Sequence, residues 1–117
     1  MARRPTSDMP RATMIAALND KFRKGLPGGG RVYMTAGVNT KGSTFVAKAL
    51  ACVVAFDDFN FGNDPHGEHD FGSFDLDSEH LLFKIDYYDL AGQFGSEDPA
   101  DPKKTLRVLT VMLAEEY

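Results

Sequence analysis

The most regular alternation of apolar and polar residues in this chain is HLLFKIDYY, residues His80–Tyr88. Its odd-numbered positions are all apolar or aromatic, whereas a lysine and an aspartate stand among the even-numbered ones. Because successive side chains of a strand point to opposite faces, this pattern predicts a strand with one buried face. An upstream arm over residues 68–76 and the turn Asp77-Ser78 complete a predicted β-hairpin, with a bulge at Gly72 where the alternation slips.

The segments around the hairpin predict the element order α-β-α-β-β-α. Apolar residues at helical spacing predict two helices before the hairpin, and Leu106, Leu109 and Leu113 predict a third after it. We therefore predict an α+β domain with a three-stranded, mainly antiparallel sheet and helices packed on one face. The predicted segments outside the hairpin are a helix over 9–24, a strand over 31–38, a helix over 43–56 and a helix over 102–116.

Length and composition place the chain in a broad class. With 117 residues it is long enough for one core, so we predict a flexible basic arm at residues 1–8 and a single domain at 9–117. The sequence has no apolar run long enough for a membrane span and no signal-like apolar segment at its start. A single cysteine, Cys52, rules out an internal disulfide framework. These features predict a cytoplasmic protein without a membrane partner.

Charge is divided sharply along the chain. Residues 1–48 carry nine Lys and Arg against two acids, whereas residues 49–117 carry four against fifteen. This asymmetry predicts an acidic face that binds a basic partner, and the alternative is an acidic surface that serves solubility alone. We do not expect direct nucleic-acid binding, because the acids would repel phosphate. The residues assigned to the acidic face are Asp57, Asp58, Asp64, Glu68, Asp70, Asp75 and Asp77.

The segment NDPHGEHD, residues 63–70, concentrates two of the three histidines with three Asp and Glu residues. Histidine with carboxylate is a common ligand set for zinc, manganese or iron. A metal site would consist of His66, His69, Asp70 and, from the neighbouring strand, Asp86. In the alternative interpretation the segment is a turn in which the Asp64 side chain binds the following backbone and both histidines are exposed or hydrogen-bonded.

A second loop, residues 37–44, lies between a predicted strand and a predicted helix, as a phosphate-binding loop would. Ser43 occupies the position where such a loop requires lysine. The weaker expectations are anion binding at the helix N-terminus or an ordinary turn followed by a helix cap.

Four blocks in order resemble a known bacterial family, the domain of unknown function 3768. The similarity extends from about Ile15 to the C-terminus, and residues 40–44 are more polar than the family pattern. The resemblance implies small proteins of alphaproteobacterial plasmids, integrative elements and prophages, often near antirestriction-type genes, and implies no activity. The blocks are NDPHGEHDFG (63–72), KIDYYD (84–89), DPADP (98–102) and VLTVMLAEEY (108–117).

Three functions follow as expectations. The first is a non-enzymatic accessory protein of a mobile element that binds a basic protein surface, such as a nucleic-acid-binding defence complex, in an anti-CRISPR or antirestriction role. The second is a metal-dependent hydrolase or nuclease at the His66/His69/Asp cluster. The third is a regulatory or toxin–antitoxin component that uses the basic N-terminal arm. We assign no catalytic residue and expect no cofactor under the first function.

Overall fold

The computed structural model describes residues 10–117, so the predicted arm at residues 1–8 lies outside the described part. In chain order the elements are α1 (Arg11–Lys24), β1 (Arg31–Met34), α2 (Ala36–Asn39), α3 (Ser43–Ala55), β2 (Phe71–Leu76), β3 (Glu79–Tyr88), β4 (Leu106–Leu113) and a final 3₁₀ turn (Ala114–Glu116). The sheet has the order β1-β4-β3-β2. β1 and β4 run parallel, and the other neighbouring pairs run antiparallel. The α+β class is therefore confirmed.

The two longer helices occupy the predicted segments. α1 begins directly after Pro10 and ends before Gly25, and it buries Ile15 and Phe22 as its spacing predicts. α3 begins at Ser43 and buries three residues spaced four apart along one face. None of the helices formed by residues 10–117 is long and apolar enough to cross a membrane.

The predicted hairpin is confirmed in its two arms and its turn. Asp77 and Ser78 both have positive φ, 49° and 68°. This conformation gives a two-residue turn whose twist matches that of the flanking strands. The register then pairs Leu76 with Glu79 and continues without interruption to Phe71 and Lys84.

The predicted bulge at Gly72 is wrong, because Gly72 pairs with Phe83 in an unbroken ladder. Close packing, rather than a bulge, explains why glycine occupies position 72. A Cβ atom at residue 72 would lie 2.5 Å from the Phe83 ring and 2.7 Å from the Phe56 ring. Two core phenylalanines therefore occupy the space that a side chain would need, and the apolar alternation slips at this position for that reason.

The predicted helix over residues 102–116 is wrong, because residues 106–113 form strand β4 between β1 and β3. β4 is buried on both faces, with Val108 and Met112 on one side and Leu109 and Val111 on the other. A strand buried on both faces is a nearly continuous apolar run, in which leucines at helical spacing arise by coincidence. With β4 added, the sheet is four-stranded and mixed rather than three-stranded and antiparallel.

The main core lies between one face of the sheet and the three helices. β3 and β4 supply the sheet side of this core, and α1, α2 and α3 cover it. Because the two strands are central in the sheet, their core-facing side chains are almost fully enclosed. The residues of the core are Phe22, Val38, Phe45, Ala49, Val53, Leu81, Phe83, Ile85, Leu109, Val111 and Leu113.

The segment predicted as a strand over 31–38 divides into β1 and the single turn α2. The carboxylate of Glu116 lies against this junction and accepts hydrogen bonds from Thr35 Oγ1, from the Gly37 backbone N–H at 2.9 Å and from the Leu113 backbone N–H at 2.8 Å. These hydrogen bonds, led by that of Thr35, lower the pKa of Glu116. An intramolecular carboxylate thus binds the Gly37 N–H group at the start of the 37–44 loop, whereas the predicted anion site would use the N–H groups at the start of α3.

We predict that Gly72→Ala destabilises the protein by about 1–3 kcal/mol, because the new Cβ would overlap two packed aromatic rings. Urea unfolding monitored by circular dichroism measures the change. Ser73→Ala, at the next and exposed position of β2, is the matched control and should stay within about 0.5 kcal/mol of wild type. Equal stability of both variants would contradict the close approach at Gly72.

We predict that Glu116→Gln lowers stability at pH 7 and that its difference from wild type shrinks as the pH falls. The folded pKa of Glu116 lies below its ordinary value of 4.5, so its ionised form stabilises the fold above that pH and the contribution disappears through the depressed pKa. Unfolding free energies at several pH values between neutral and acidic test this. Glu115→Gln is the control, and a difference that does not depend on pH would refute the prediction.

Candidate functional site

The acids assigned to one acidic face do not share one surface. Asp64 is buried, and Glu68 and Asp70 are half-buried beside it in the segment that leads into β2. Burial and then the negative charge of Glu68 raise the pKa of Asp70. These three carboxylates therefore belong to the interior of the loop region, and only Asp57 and Asp58 of this region are exposed.

The remaining two acids of that set, Asp75 and Asp77, lie at the other end of the hairpin. At a rise of about 3.3 Å per residue, Asp75 is about 17 Å along the strand from Asp70. Asp75 forms a hydrogen bond with Nδ1 of His80, and Asp77 lies 3.6 Å from the Nζ atom of Lys48. Each of these two carboxylates therefore has a basic side chain of the same chain beside it.

The charge asymmetry of the sequence is partly neutralised by folding. Bases of the first 48 residues pair with acids of the second part of the chain, as Arg11 does with Asp98 at 2.7 Å and Lys41 with Glu79. Such exposed pairs contribute little stability, but they remove free negative charge from the surface. The unpaired acidic surface is therefore smaller than the sequence alone indicates.

Residues 57–67, named here the acidic loop, are held by their own side chains. The Asn60 side chain accepts hydrogen bonds from the backbone N–H groups of Gly62 and Asn63, at 2.8 and 3.2 Å. The Asn63 side chain in turn accepts from Asn60 N–H and donates to the Asp58 carbonyl. Asparagine side chains commonly fix turns in this way. Between them, Phe61 is 93% exposed.

The end of the acidic loop is closed by Asp64. Its carboxylate accepts hydrogen bonds from the backbone N–H groups of Glu68 at 3.0 Å and His69 at 3.2 Å. His69 itself has a positive φ of 56°, a conformation that costs free energy for a residue with a Cβ atom. This is the arrangement expected if the segment 63–70 is a turn. The strain at His69 requires compensating contacts.

The His69 ring makes those contacts. It stacks on the Phe59 ring with a centroid separation of 4.0 Å and an interplanar angle of 2°. Its Nδ1 atom lies 3.0 Å from both carboxylate oxygens of Asp20 in α1. A carboxylate only accepts hydrogen bonds, so Nδ1 carries the proton and donates. The ring thus joins the acidic loop to α1.

Arg23 lies beneath this contact and is 1% exposed. Its guanidinium donates to Asp20 Oδ1 at 3.1 Å and to the carbonyls of Val53 and Val54 at 2.8 and 3.2 Å. Those carbonyls end α3, where a cation also interacts favourably with the helix dipole. The guanidinium also lies 5.4 Å from the centroid of the Phe59 ring, within cation–π range.

A second polar network adjoins the first through Asn19, which is fully buried in α1. Its amide group donates to the Glu68 carbonyl at 3.0 Å and to Tyr87 Oη at 2.8 Å, and its oxygen accepts from Arg107 Nε at 2.7 Å. Tyr87 Oη donates to the Glu68 carboxylate at 2.8 Å. Burial and this hydrogen bond to Glu68 raise the pKa of Tyr87, which keeps the phenol protonated.

The predicted metal ligands His66, His69, Asp70 and Asp86 are not brought together. His66 is exposed, and His69 is hydrogen-bonded to Asp20. Asp86 alternates with the core-facing residues of β3 and forms an ion pair with Lys84 on the opposite face of the sheet. Within residues 10–117, no group of three or more His, Cys, Asp or Glu side chains is placed to hold a metal ion.

Sequence reasoning missed the partners that α1 contributes to this region. Ile15, Asn19 and Arg23 are spaced four residues apart and all three are buried, so a polar stripe continues the apolar one. The only indication in the sequence was that Asn19 and Arg23 lie four and eight residues after Ile15, a predicted core residue, and therefore on the same face of the helix. Helical spacing alone does not say that they are buried, because the same positions also suit a solvated helix edge.

This small α+β domain thus carries a loop that is fixed by hydrogen bonds of its own polar side chains and that holds an exposed aromatic ring, Phe61, between Asn60 and Asn63. No curated protein and no solved structure matches the chain. Residues 34–116 match the family model described as protein of unknown function DUF3768, and the chain belongs to this family. The match confirms the resemblance and begins later than Ile15, so α1 lies outside it.

We predict that His69→Asn destabilises the protein by about 1–2 kcal/mol and speeds amide exchange in residues 57–69. Asparagine tolerates positive φ, so the loss reports on the ring stack and the Asp20 contact rather than on backbone strain. Urea unfolding and hydrogen exchange measure the two effects. His66→Asn, at an exposed position, is the control. Unchanged exchange in the His69 variant would show that the ring does not hold the loop.

Proposed function

We propose that this protein is a non-enzymatic binding protein that recognises its partner with the acidic loop. The observation that carries the proposal is the 93% exposure of Phe61 on a loop fixed by hydrogen bonds. The partner is a protein whose basic surface contains an apolar pocket for the Phe61 ring.

Exposed phenylalanine on a well-held loop supports a binding role. Large aromatic side chains bury much area on association and are concentrated in binding hot spots. Tyr33, Leu90 and Phe94 are also exposed, but at 51%, 65% and 71% they retain more intramolecular contact than Phe61. A ring that contacts so little of its own fold has most of its apolar area available for a partner.

The internal hydrogen bonds of the acidic loop reduce the cost of binding. Association has to order mobile segments, and that ordering opposes affinity. Asn60, Asn63 and Asp64 already order this loop through side-chain hydrogen bonds, and His69 and Phe59 fix its end against α1. The buried acid Asp64 therefore supports recognition without contacting the partner.

The charge of the loop indicates the chemistry of the partner. Asp57 and Asp58 are exposed and lie four and three residues before Phe61, respectively. Two adjacent carboxylates beside an aromatic ring favour a basic surface, which they would steer into place at low ionic strength. Of the predicted acidic face, these two residues thus make contact, while Asp75 and Asp77 lie apart at the hairpin end.

The partner we propose in finer terms is a nucleic-acid-binding complex of host defence, whose channel is basic. This follows from the acidic loop together with the mobile-element setting that the family resemblance implies. The role would be inhibition of the anti-CRISPR or antirestriction type, in the cytoplasm, without direct nucleic-acid binding. The hydrolase alternative lacks a three-ligand group within residues 10–117, and the toxin–antitoxin alternative depends on residues 1–8, outside the described part.

We predict that Phe61→Ser weakens binding to the cognate defence complex by about tenfold or more, a loss of about 1.4 kcal/mol, because it removes the buried aromatic contact. Surface plasmon resonance with purified CRISPR effector and restriction complexes of the host measures the affinity. Phe94→Ser, which alters another exposed phenylalanine, is the matched control and should bind as wild type does.

Asp57→Asn/Asp58→Asn should slow association and reduce its dependence on salt between about 50 and 200 mM. Asp75→Asn/Asp77→Asn should leave both unchanged. If the hairpin variant loses binding and the loop variants keep it, the recognition surface lies at the hairpin end and the proposal is wrong. Absence of salt-sensitive binding to every complex tested would also reject it.

A further inference from the structure

A groove of about 510 Å³ lies beside the C-terminal half of α1, on a part of the molecule that the acidic loop does not use. Leu18 and Phe22 of α1 and Pro102 give it apolar walls, and the glycine-rich loop after α1 forms its rim. Its volume lies within the usual range of small-ligand sites, about 300–1,000 Å³. None of its lining residues is acidic, although the chain as a whole is.

Arg107, one of the residues that line this groove, carries a buried charge. It is 5% exposed, and its hydrogen bonds go to neutral oxygens, Asn19 Oδ1 at 2.7 Å and the Pro99 carbonyl at 2.6 Å. Within residues 10–117, no carboxylate lies within ion-pair distance of it. The Glu68 charge acts on it only from farther away, and burial outweighs that effect and lowers the pKa of Arg107.

A buried guanidinium without a carboxylate partner is costly to the fold. The Tyr87 ring, 5.2 Å from the guanidinium carbon, offsets part of this cost by cation–π attraction but brings no negative charge. Lys21 adds a second cation to the same groove. An anion in the groove would therefore supply the negative charge that residues 10–117 do not place beside Arg107.

We infer that this groove binds a small organic anion, a carboxylate or phosphate carried on an apolar group. Arg107 and Lys21 bind the anionic end, and Leu18, Phe22 and Pro102 contact the apolar body. The groove contains no residue of the acidic loop, so a negative result for one site does not refute the other.

The glycine-rich rim allows a charge to be added without disturbing the core. A Cβ atom at Gly28 would meet its nearest neighbour, the Gly25 carbonyl oxygen, at 3.7 Å, which is an ordinary contact. By contrast, a Cβ atom at Gly30 would lie 2.5 Å from the Arg107 carbonyl oxygen. Gly28→Glu therefore places a carboxylate at the groove, and Gly28→Gln is a control of the same size without the charge.

The test is an NMR and calorimetric titration of the full chain with 2-naphthoate, 2-naphthyl phosphate, neutral 2-naphthalenemethanol and inorganic phosphate. We expect at least one naphthyl anion to bind with a Kd below about 1 mM, with shifts at residues 25–29, and the alcohol to bind about tenfold more weakly. The stronger anion tells whether a carboxylate or a phosphate is preferred. Gly28→Glu should lower the affinity for that anion about tenfold relative to Gly28→Gln.

Several results would overturn the assignment. The first is that the alcohol binds as tightly as the naphthyl anions. The second is that the two Gly28 variants have equal affinity for the anion. The third is that neither naphthyl anion binds. If inorganic phosphate binds as tightly as naphthyl phosphate, the apolar residues of the groove contribute no affinity and their assigned role is wrong. Lys21→Gln, an exposed substitution, should lower anion affinity about threefold, and urea midpoints equal to wild type would show that each variant is folded.

Discussion

The burial of Arg23 is the constraint on which the functional region depends. A guanidinium enclosed to this degree must be neutralised and hydrogen-bonded, and its partners come from three separate segments. Asp20 supplies the charge, the end of α3 supplies two carbonyls, and Phe59 of the acidic loop covers the group with its ring. Because one cation needs all three, the positions of α1, α3 and the acidic loop are set together. One donor, Arg23 Nε, has no hydrogen-bond partner among the described residues, and burying this unsatisfied N–H group lowers the stability of the fold.

From this point the polar interior extends in two directions. Asp20 leads through His69 to the acidic loop, and the neighbouring Asn19 leads through Tyr87 to Glu68 and through its oxygen to Arg107. The loop that carries Phe61 and the groove that contains Arg107 are thus connected through one turn of α1. That helix lies outside the residues that match the family, whereas the loop, Tyr87 and Arg107 lie inside them. The matched part of the chain therefore depends on a preceding helix for its buried polar partners.

The charge pattern has a different meaning in the folded chain than in the sequence. Bases of the first part of the chain lie against acids of the second, so the division by sequence becomes proximity in space. Exposed pairs of this kind add little to stability, and their main effect is on the surface potential. Among residues 10–117, Asp57 and Asp58 of the acidic loop have no ion-pair partner, and they lie four and three residues before Phe61, which is 93% exposed. Charge and apolar area together, rather than net charge, therefore define the proposed recognition surface.

The amino-acid pattern alone determined α1, α3, the β2–β3 hairpin and its turn, because helical and strand periods and turn residues act over a few neighbouring positions. It also contained the resemblance to the family and the turn at Asp64. It did not determine β4, whose leucines satisfy a helical spacing as well as a strand, and only its place between β1 and β3 decides between them. The inward positions of Asn19, Arg23 and Arg107 and the separation of Asp86 from His69 were likewise decided in three dimensions. Such residues are buried by partners far away in the chain, and no local period records which distant groups will neutralise them.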